Sequence, residues 1–196
     1  MHEDLKYLYE KDGGSVYQIV RPERQCGECR LCCKLLAVGK DTLTDDFKKP
    51  QGEWCKHSCD IGCAIYATRP KDCVEYECTW VSGVFEEDDR PDKSKIVVSL
   101  EHGEAVTDDA GKVIHGPTPV WCVYEWSPGV SQHGRAKAIV EELGNLIIEE
   151  TPGNYRGPFP ICIIPSRKLT RTVKFPGQRR WIPMLRPGEI DPNRKR

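Results

Sequence analysis

Cys26-Gly27-Glu28-Cys29-Arg30-Leu31-Cys32-Cys33 is the stretch on which the reading of this chain turns. Its cysteines follow the pattern C-x2-C-x2-C-C. Two residues between thiolates let both sulfurs turn toward one metal, while backbone N–H groups in the tight turn point at sulfur. Gly27 tolerates the unusual backbone angles of such a turn. Three thiolates at successive two-residue spacings also suit a loop that holds three corners of an iron–sulfur cubane, a distant cysteine supplying the fourth. Cys32 and Cys33 are adjacent, and in an extended segment adjacent side chains point to opposite sides. They are therefore expected to serve two centres.

Downstream lie Cys55, Cys59, Cys63, Cys73 and Cys78, so nine of the 11 cysteines fall between residues 26 and 78. Structural zinc takes four ligands and a cubane takes four cysteines. Eight thiolates complete two centres, and one of the nine is surplus. His57 sits inside the block as a candidate substitute for a thiolate. Cys122 and Cys162 lie within strand patterns and read as small core hydrophobes. Disulfides fit poorly: the count is odd, and the opening MHEDLKYLYEKDGGS has neither the basic nor the apolar region of a signal peptide. A reducing, cytoplasmic setting is expected, in which clustered thiols read as metal ligands. No apolar run reaches the roughly 18 residues of a membrane span.

C-x2-C-x2-C-C followed by Cys63-Ala64-Ile65-Tyr66-Ala67-Thr68-Arg69-Pro70-Lys71-Asp72-Cys73 and then Cys78 resembles the CxxCxxCC cysteine-cluster family. That family is described as a zinc- or iron-chelating domain, and some members are labelled iron–sulfur oxidoreductases. The match runs from Cys26 to Trp80, with Arg90-Pro91-Asp92-Lys93 as a looser similarity to longer members. The resemblance implies eight ligands: Cys26, Cys29, Cys32, Cys33, Cys55, Cys63, Cys73 and Cys78. It leaves Cys59 as the spare. The chain departs from the family at Val74, where arginine is common, and at Tyr76, where phenylalanine is usual. Tyr66, Arg69 and Pro70 are expected to brace the cluster: an arginine beside anionic thiolates offsets charge, and a proline stiffens the approach to Cys73.

The rest of the chain fits a small body around this block. With 196 residues, 38% hydrophobic, 17 Gly and 15 Pro, the composition predicts a loop-rich fold with a modest core. Lys95–Leu100 is a strand candidate, as is Val16–Val20 near the start. Residues 105–107 and 112–114 flank a hairpin turn at 108–111. Over Val120–Trp126, residues Val120, Cys122, Tyr124 and Trp126 share one face, with Trp121 and Val123 on the other. Residues 135–150 have helical periodicity in Ile139, Leu143, Leu146 and Ile147, and residues 159–164 read as a further strand. Residues 44–49 suit a short helix. The acidic run 86–89 is expected on a solvated loop. The fold class is accordingly α+β. An irregular, metal-organised segment (26–80) packs on a mainly antiparallel sheet with one long helix (81–165), between a polar N-terminal segment (1–25) and a basic, proline-rich tail (166–196).

A formal charge of −1 argues against a globally basic nucleic-acid binder, yet it is a cancellation. The tail has ten Lys and Arg against two Asp and Glu, leaving about −9 elsewhere. Such an arm either stays solvated, lies on the chain's own acidic region, or docks on a protein partner; phosphate contacts and stacking by Phe175 and Trp181 make nucleic acid a weaker option. No G-x-S-x-G elbow, glycine-rich phosphate loop or H-E-x-x-H helix occurs, so no catalytic residue is singled out. Three readings remain open. The first is a metal-binding protein holding an iron–sulfur cluster or zinc in a largely structural role. The second is an iron–sulfur electron-transfer or oxidoreductase protein, and the third a metal-stapled part of an assembly.

Overall fold

A computed structural model describes residues 24–38, 48–101, 119–146, 157–166 and 171–181 with their side chains. Its strands within 5–11, 14–19, 96–102, 106–107, 113–115, 148–151, 154–156 and 182–184 are described as backbone where they extend beyond those ranges. In chain order the elements begin with the antiparallel pair β1 (Leu5–Lys11) and β2 (Gly14–Ile19). The cysteine segment holds helix α1 (Leu31–Leu35), the two-residue strands β3 (Ser58–Cys59) and β4 (Gly62–Cys63), and helix α2 (Lys71–Glu75). After it come α3 (Pro91–Ser94), β5 (Ile96–His102), the pair β6 (Val106–Thr107) and β7 (Val113–His115), and β8 (Pro119–Glu125). Helix α4 (Gly134–Leu143), the pair β9 (Ile148–Thr151) and β10 (Asn154–Arg156), and strands β11 (Ile161–Pro165), β12 (Arg171–Lys174) and β13 (Ile182–Met184) complete the chain.

The fold is α+β. Its main sheet has the order β13-β12-β11-β8-β5 and is antiparallel except where β11 runs parallel to β8. A parallel pair needs a crossover, and α4 with the β9–β10 hairpin supplies it. Strand alternation sorts the side chains as the pattern over 120–126 requires. Trp121 and Val123 join Ile96, Val98, Ile161 and Ile163 in the main core, which α4 covers with Ala136, Ile139, Val140 and Leu143. The opposite face carries Cys122, Cys162 and Ile164.

The structure departs from the sequence expectations at four places. The helix expected over 135–150 ends at Leu143: Gly144 donates to both Val140 and Glu141 in a tightened last turn, and residues 148–151 form β9 instead. Glycine followed by asparagine is a poor continuation of a helix, and a β-branched run before a turn favours a hairpin. The tail is no free arm along its first half, because β12 and β13 extend the main sheet at one edge. The acidic run is not wholly solvated: Asp89 is 2% exposed and its carboxylate receives both Nε–H and Nη2–H of Arg135. Finally, Cys32 and Cys33 lie in a helical turn, not an extended segment, so they diverge by about 100° and not 180°. The short helix expected at 44–49 lies mostly outside the described residues; Lys49 itself bridges to Val38. No described helix is long and apolar enough to cross a membrane.

Candidate metal centre

The cysteine segment is held on the sheet by ordinary packing. Leu31 and Leu35 of α1 are buried in the main core together with Cys78, Trp80 and Phe85, and Cys29 packs against them. Thr79 extends this anchor, since its N–H and hydroxyl both reach the carbonyl of Val98 in β5 at 2.9 Å. Buried Arg24 donates to the carbonyls of Trp80 (2.9 Å) and Phe85 (2.6 Å), with its guanidinium 5.0 Å from the Trp80 ring centroid. A second anchor lies at residues 50–54. There Gln51 donates to the Pro165 carbonyl, and Trp54 meets Trp126 edge-on at 5.8 Å. The ammonium of Lys34 sits over both rings, at 5.3 and 4.6 Å.

On this scaffold the cysteines arrive from four stretches of chain. Cys29 donates its N–H to the Cys26 carbonyl at 2.8 Å, closing the turn in which Gly27 takes φ = +50°. One helical turn later come Cys32 and Cys33. Cys55 donates its N–H to the Cys33 carbonyl at 2.9 Å, which brings the second stretch beside the first. Ser58 then bonds back to Cys55, and the β3–β4 pairing sets Ser58 opposite Cys63 and Cys59 opposite Gly62. Directly opposed residues share a face, so Cys59 points away from the side that Cys63 takes. Pro70 caps α2 and accepts the N–H groups of Cys73 and Val74 at 2.9 and 3.1 Å.

The charges near each sulfur and its burial set its acidity. Cys32 donates to Cys33. That bond, with the positive charges of Lys49, Arg30 and Arg69, brings the Cys33 thiol down to about 7 against the opposing effect of burial. The same bond and burial hold Cys32 well above its ordinary value. Burial pushes Cys78 up to about 12, opposed by the N–H groups of Val81 and Trp80, which point at its sulfur. Cys29 is raised by burial too, and takes N–H bonds from Leu31 and Asp92. Cys26, raised by burial, lies in the fields of Cys29, Arg69 and Cys33. Cys73 is raised by burial and, less, by the negative charges of Cys33, Cys55, Asp72 and Cys63.

All eight cysteines named as ligands are free thiols. Among the described residues no three His, Cys, Asp or Glu side chains already converge at metal-ligand distance. Of the residues expected to brace the cluster, Arg69 contributes positive charge at Cys26 and Cys33, and its guanidinium lies 3.7 Å from the Tyr66 ring centroid. Cys59 lends its carbonyl to Arg30. His57 contributes its carbonyl to Ala64, and its Nε2 is buried. Cys122 and Cys162 are 7% and 5% exposed on the far face of the sheet, paired across β8 and β11.

Several contributors had no signal in the sequence. Lys49 is buried, donates to the carbonyls of Lys34, Pro50 and Glu53, and faces Cys55, Cys33 and Cys32. Only the looser Arg-Pro-Asp-Lys similarity pointed toward Asp92, whose N–H reaches Cys29. The Tyr76 hydroxyl is buried without a hydrogen-bond partner among the described residues, near Cys78 and Cys32. A cleft of about 890 Å³ between α4 and β12, lined by residues such as Lys137, Phe159, Lys174 and Trp181, includes no cysteine, so it is separate from the thiol cluster. Comparison of the chain with protein-family models, with curated proteins and with solved structures finds no match.

Proposed function

We propose that this chain is a metal-binding protein that holds an iron–sulfur cluster or zinc through Cys26, Cys29, Cys32, Cys33, Cys55, Cys63, Cys73 and Cys78, with a largely structural role. The observation that carries the reading is that separate stretches of the cysteine segment are drawn together: Cys55 bonds to Cys33, Cys63 pairs opposite Ser58, and Cys29 and Cys78 both pack against the main core. Their surroundings suit bound thiolates. N–H groups point at Cys29 and Cys78, and Arg30, Lys49 and Arg69 offset negative charge around Cys33. The buried Tyr76 hydroxyl is a spare donor near Cys32 and Cys78. Crowding and burial hold most of these groups as neutral thiols, and a metal cation displaces those protons when it binds. Such a centre adds folding energy to a chain whose hydrophobic content is low.

Anaerobic purification followed by metal and sulfide analysis tests the proposal. Iron with matching acid-labile sulfide identifies the cluster form, and colourless protein with stoichiometric zinc identifies the other. A chain that carries neither and takes up neither refutes metal binding.

A second reading, electron transfer with a partner, is favoured by one observation. Trp54, Ile61, Tyr66 and Val74 are exposed at 46%, 83%, 57% and 55%, and each lies within three residues of Cys55, Cys63 or Cys73. Apolar groups around a redox centre suit brief docking. Reversible reduction of an intact cluster is the result expected on this reading, and a redox-silent centre leaves the structural role.

A further inference from the structure

We propose that the cleft between α4 and β12 binds single-stranded nucleic acid, with Trp181 stacking on a base and Lys174, Arg179 and Arg180 holding the phosphates. The cleft includes no cysteine, so the inference stands independently of the metal-binding reading.

Strand register builds the cleft. Thr172 and Lys174 of β12 lie opposite Ile163 and Ile161 of β11, so all four share the face that α4 covers. Toward β12 that face opens into the cleft of about 890 Å³, floored by Phe159, Ile161 and Ile163. After β12 the chain turns through Phe175-Pro176-Gly177-Gln178. There Gln178 donates its N–H to the Phe175 carbonyl at 3.1 Å, and Gly177 takes φ = +76°. Proline in the second position and a glycine of positive φ in the third fix such a turn firmly. The turn makes one wall of the cleft and presents Trp181 there, 38% exposed.

The charge on this wall is uncompensated. Residues 171–181 hold four basic side chains and no acidic one. Arg171 belongs to the far face of the sheet, near Cys122 and Cys162. The other three border the cleft: the Lys174 ammonium lies 6.0 Å from the Trp181 ring centroid, and Arg179 and Arg180 are exposed in the chain between Gln178 and Trp181. None of these three has an acidic partner among the described residues. The carboxylates that line the cleft are already engaged. Glu125, 2% exposed, accepts the N–H of Gly129 and both the N–H and the hydroxyl of Ser131, while Glu141 pairs with Lys137 at 3.6 Å.

An exposed indole beside three unpaired cations is suited to a single strand, because bases stack on the ring whatever their sequence and the cations follow the phosphates. Gln132 and Gln178 line the same cleft, and their amides make no hydrogen bond among the described residues, which leaves them for base edges. A duplex keeps its base faces stacked inside and offers the indole nothing. An acidic peptide would satisfy the cations but leave the indole without a stacking partner.

Fluorescence anisotropy of a labelled oligouridylate of about 12 nucleotides, titrated with the full-length chain, tests the proposal. Binding is expected at about 50 mM salt, and log K is expected to fall against log salt with a slope of about −2, roughly 0.7 for each of three cations. Trp181→Ala is expected to weaken binding about tenfold, while Trp181→Phe keeps most of it. Arg179→Gln/Arg180→Gln is expected to flatten the slope to about −0.7. Arg194→Gln/Lys195→Gln/Arg196→Gln, at the chain's basic end, is expected to leave affinity unchanged. No binding at low salt overturns the proposal, as does binding that ignores Trp181→Ala or vanishes with the 194–196 variant. Equal affinity for a duplex of the same length, for polyglutamate or for uridine monophosphate also overturns it. The wild-type salt slope requires no variant, so misfolding cannot mask the answer: a slope near zero contradicts phosphate contact.

Discussion

Tyr76 illustrates how a single atom reports on what the thiols are for. Its hydroxyl is buried beside Cys78 and Cys32 with no acceptor among the described residues, a cost of roughly 1–3 kcal/mol for a neutral polar group. In the metal-free chain, Tyr76→Phe is expected to raise stability by about 1 kcal/mol, read from the urea midpoint. In the metal-loaded chain, where thiolate acceptors lie beside it, the same substitution is expected to lower stability. Destabilisation in both states would mean that the hydroxyl already has a partner without metal. Lys49 and Cys59 show the limits of residue-level reading in opposite ways. The spacing of cysteines marks nine thiols, and only a resemblance sets Cys59 apart as the spare; the β3–β4 pairing puts it opposite Gly62. Lys49 is one of 29 basic residues, and its burial depends on carbonyls presented by three separate positions. No local pattern encodes that arrangement.

At the level of elements, the strands with strong alternation were legible and the weakly patterned ones were not. Residues 95–100 hold the β-branched run Ile96-Val97-Val98 and residues 120–126 alternate, and the two appear as neighbours in the main sheet. Strands β12 and β13, with four and three residues, are too short to show a period, and prolines flank or interrupt them. The expected helix overruns the end of α4 because Leu146 and Ile147 keep the helical spacing after Gly144 has stopped the helix. The pairing of β8 with β11 places Cys122 directly opposite Cys162 on the buried far face. Burial pushes Cys162 from an ordinary 9.0 up to about 11, and Cys122, with Glu101 beside it, higher still. Both remain neutral in the folded chain at a pH where the unfolded chain ionises. Their contribution is therefore complete below the ordinary thiol value and is lost as pH rises through 9 toward 11 and above. Replacing both by alanine is expected to flatten the fall in stability between pH 9 and 11 by about 4 kcal/mol, roughly 2 for each thiol, measured as urea midpoints at each pH. An unchanged slope would show that the two thiols are not shielded as described.

Taken whole, the molecule is a small sheet that carries a cysteine segment along one side, fastened at two points. One fastening runs through Leu31, Leu35, Cys78 and Trp80; the other is the loop at 50–54. Gly52 marks how closely that loop approaches. It takes φ = +83°, and a Cβ there would lie 2.1 Å from the Ser166 carbonyl oxygen. Gly52→Ala is therefore expected to lift the loop and cost about 2 kcal/mol or more, seen as a lower thermal midpoint and a more exposed Trp54 by fluorescence. A variant with wild-type stability and emission would show that the second fastening carries little. The expected α+β class was legible because alternation is a local property. The joining of 171–184 to the sheet and the Asp89–Arg135 pair were not, since each depends on partners brought together only by the fold.

The central claim, that eight of the eleven cysteines serve metal, is tested most directly by alkylating the native, metal-replete chain and mapping each cysteine by mass spectrometry before and after chelation. The account predicts that Cys26, Cys29, Cys32, Cys33, Cys55, Cys63, Cys73 and Cys78 are protected until metal is removed. Cys59 should react at the same rate in both states, and Cys122 and Cys162 only after unfolding. Equal labelling of the eight before and after chelation would contradict it.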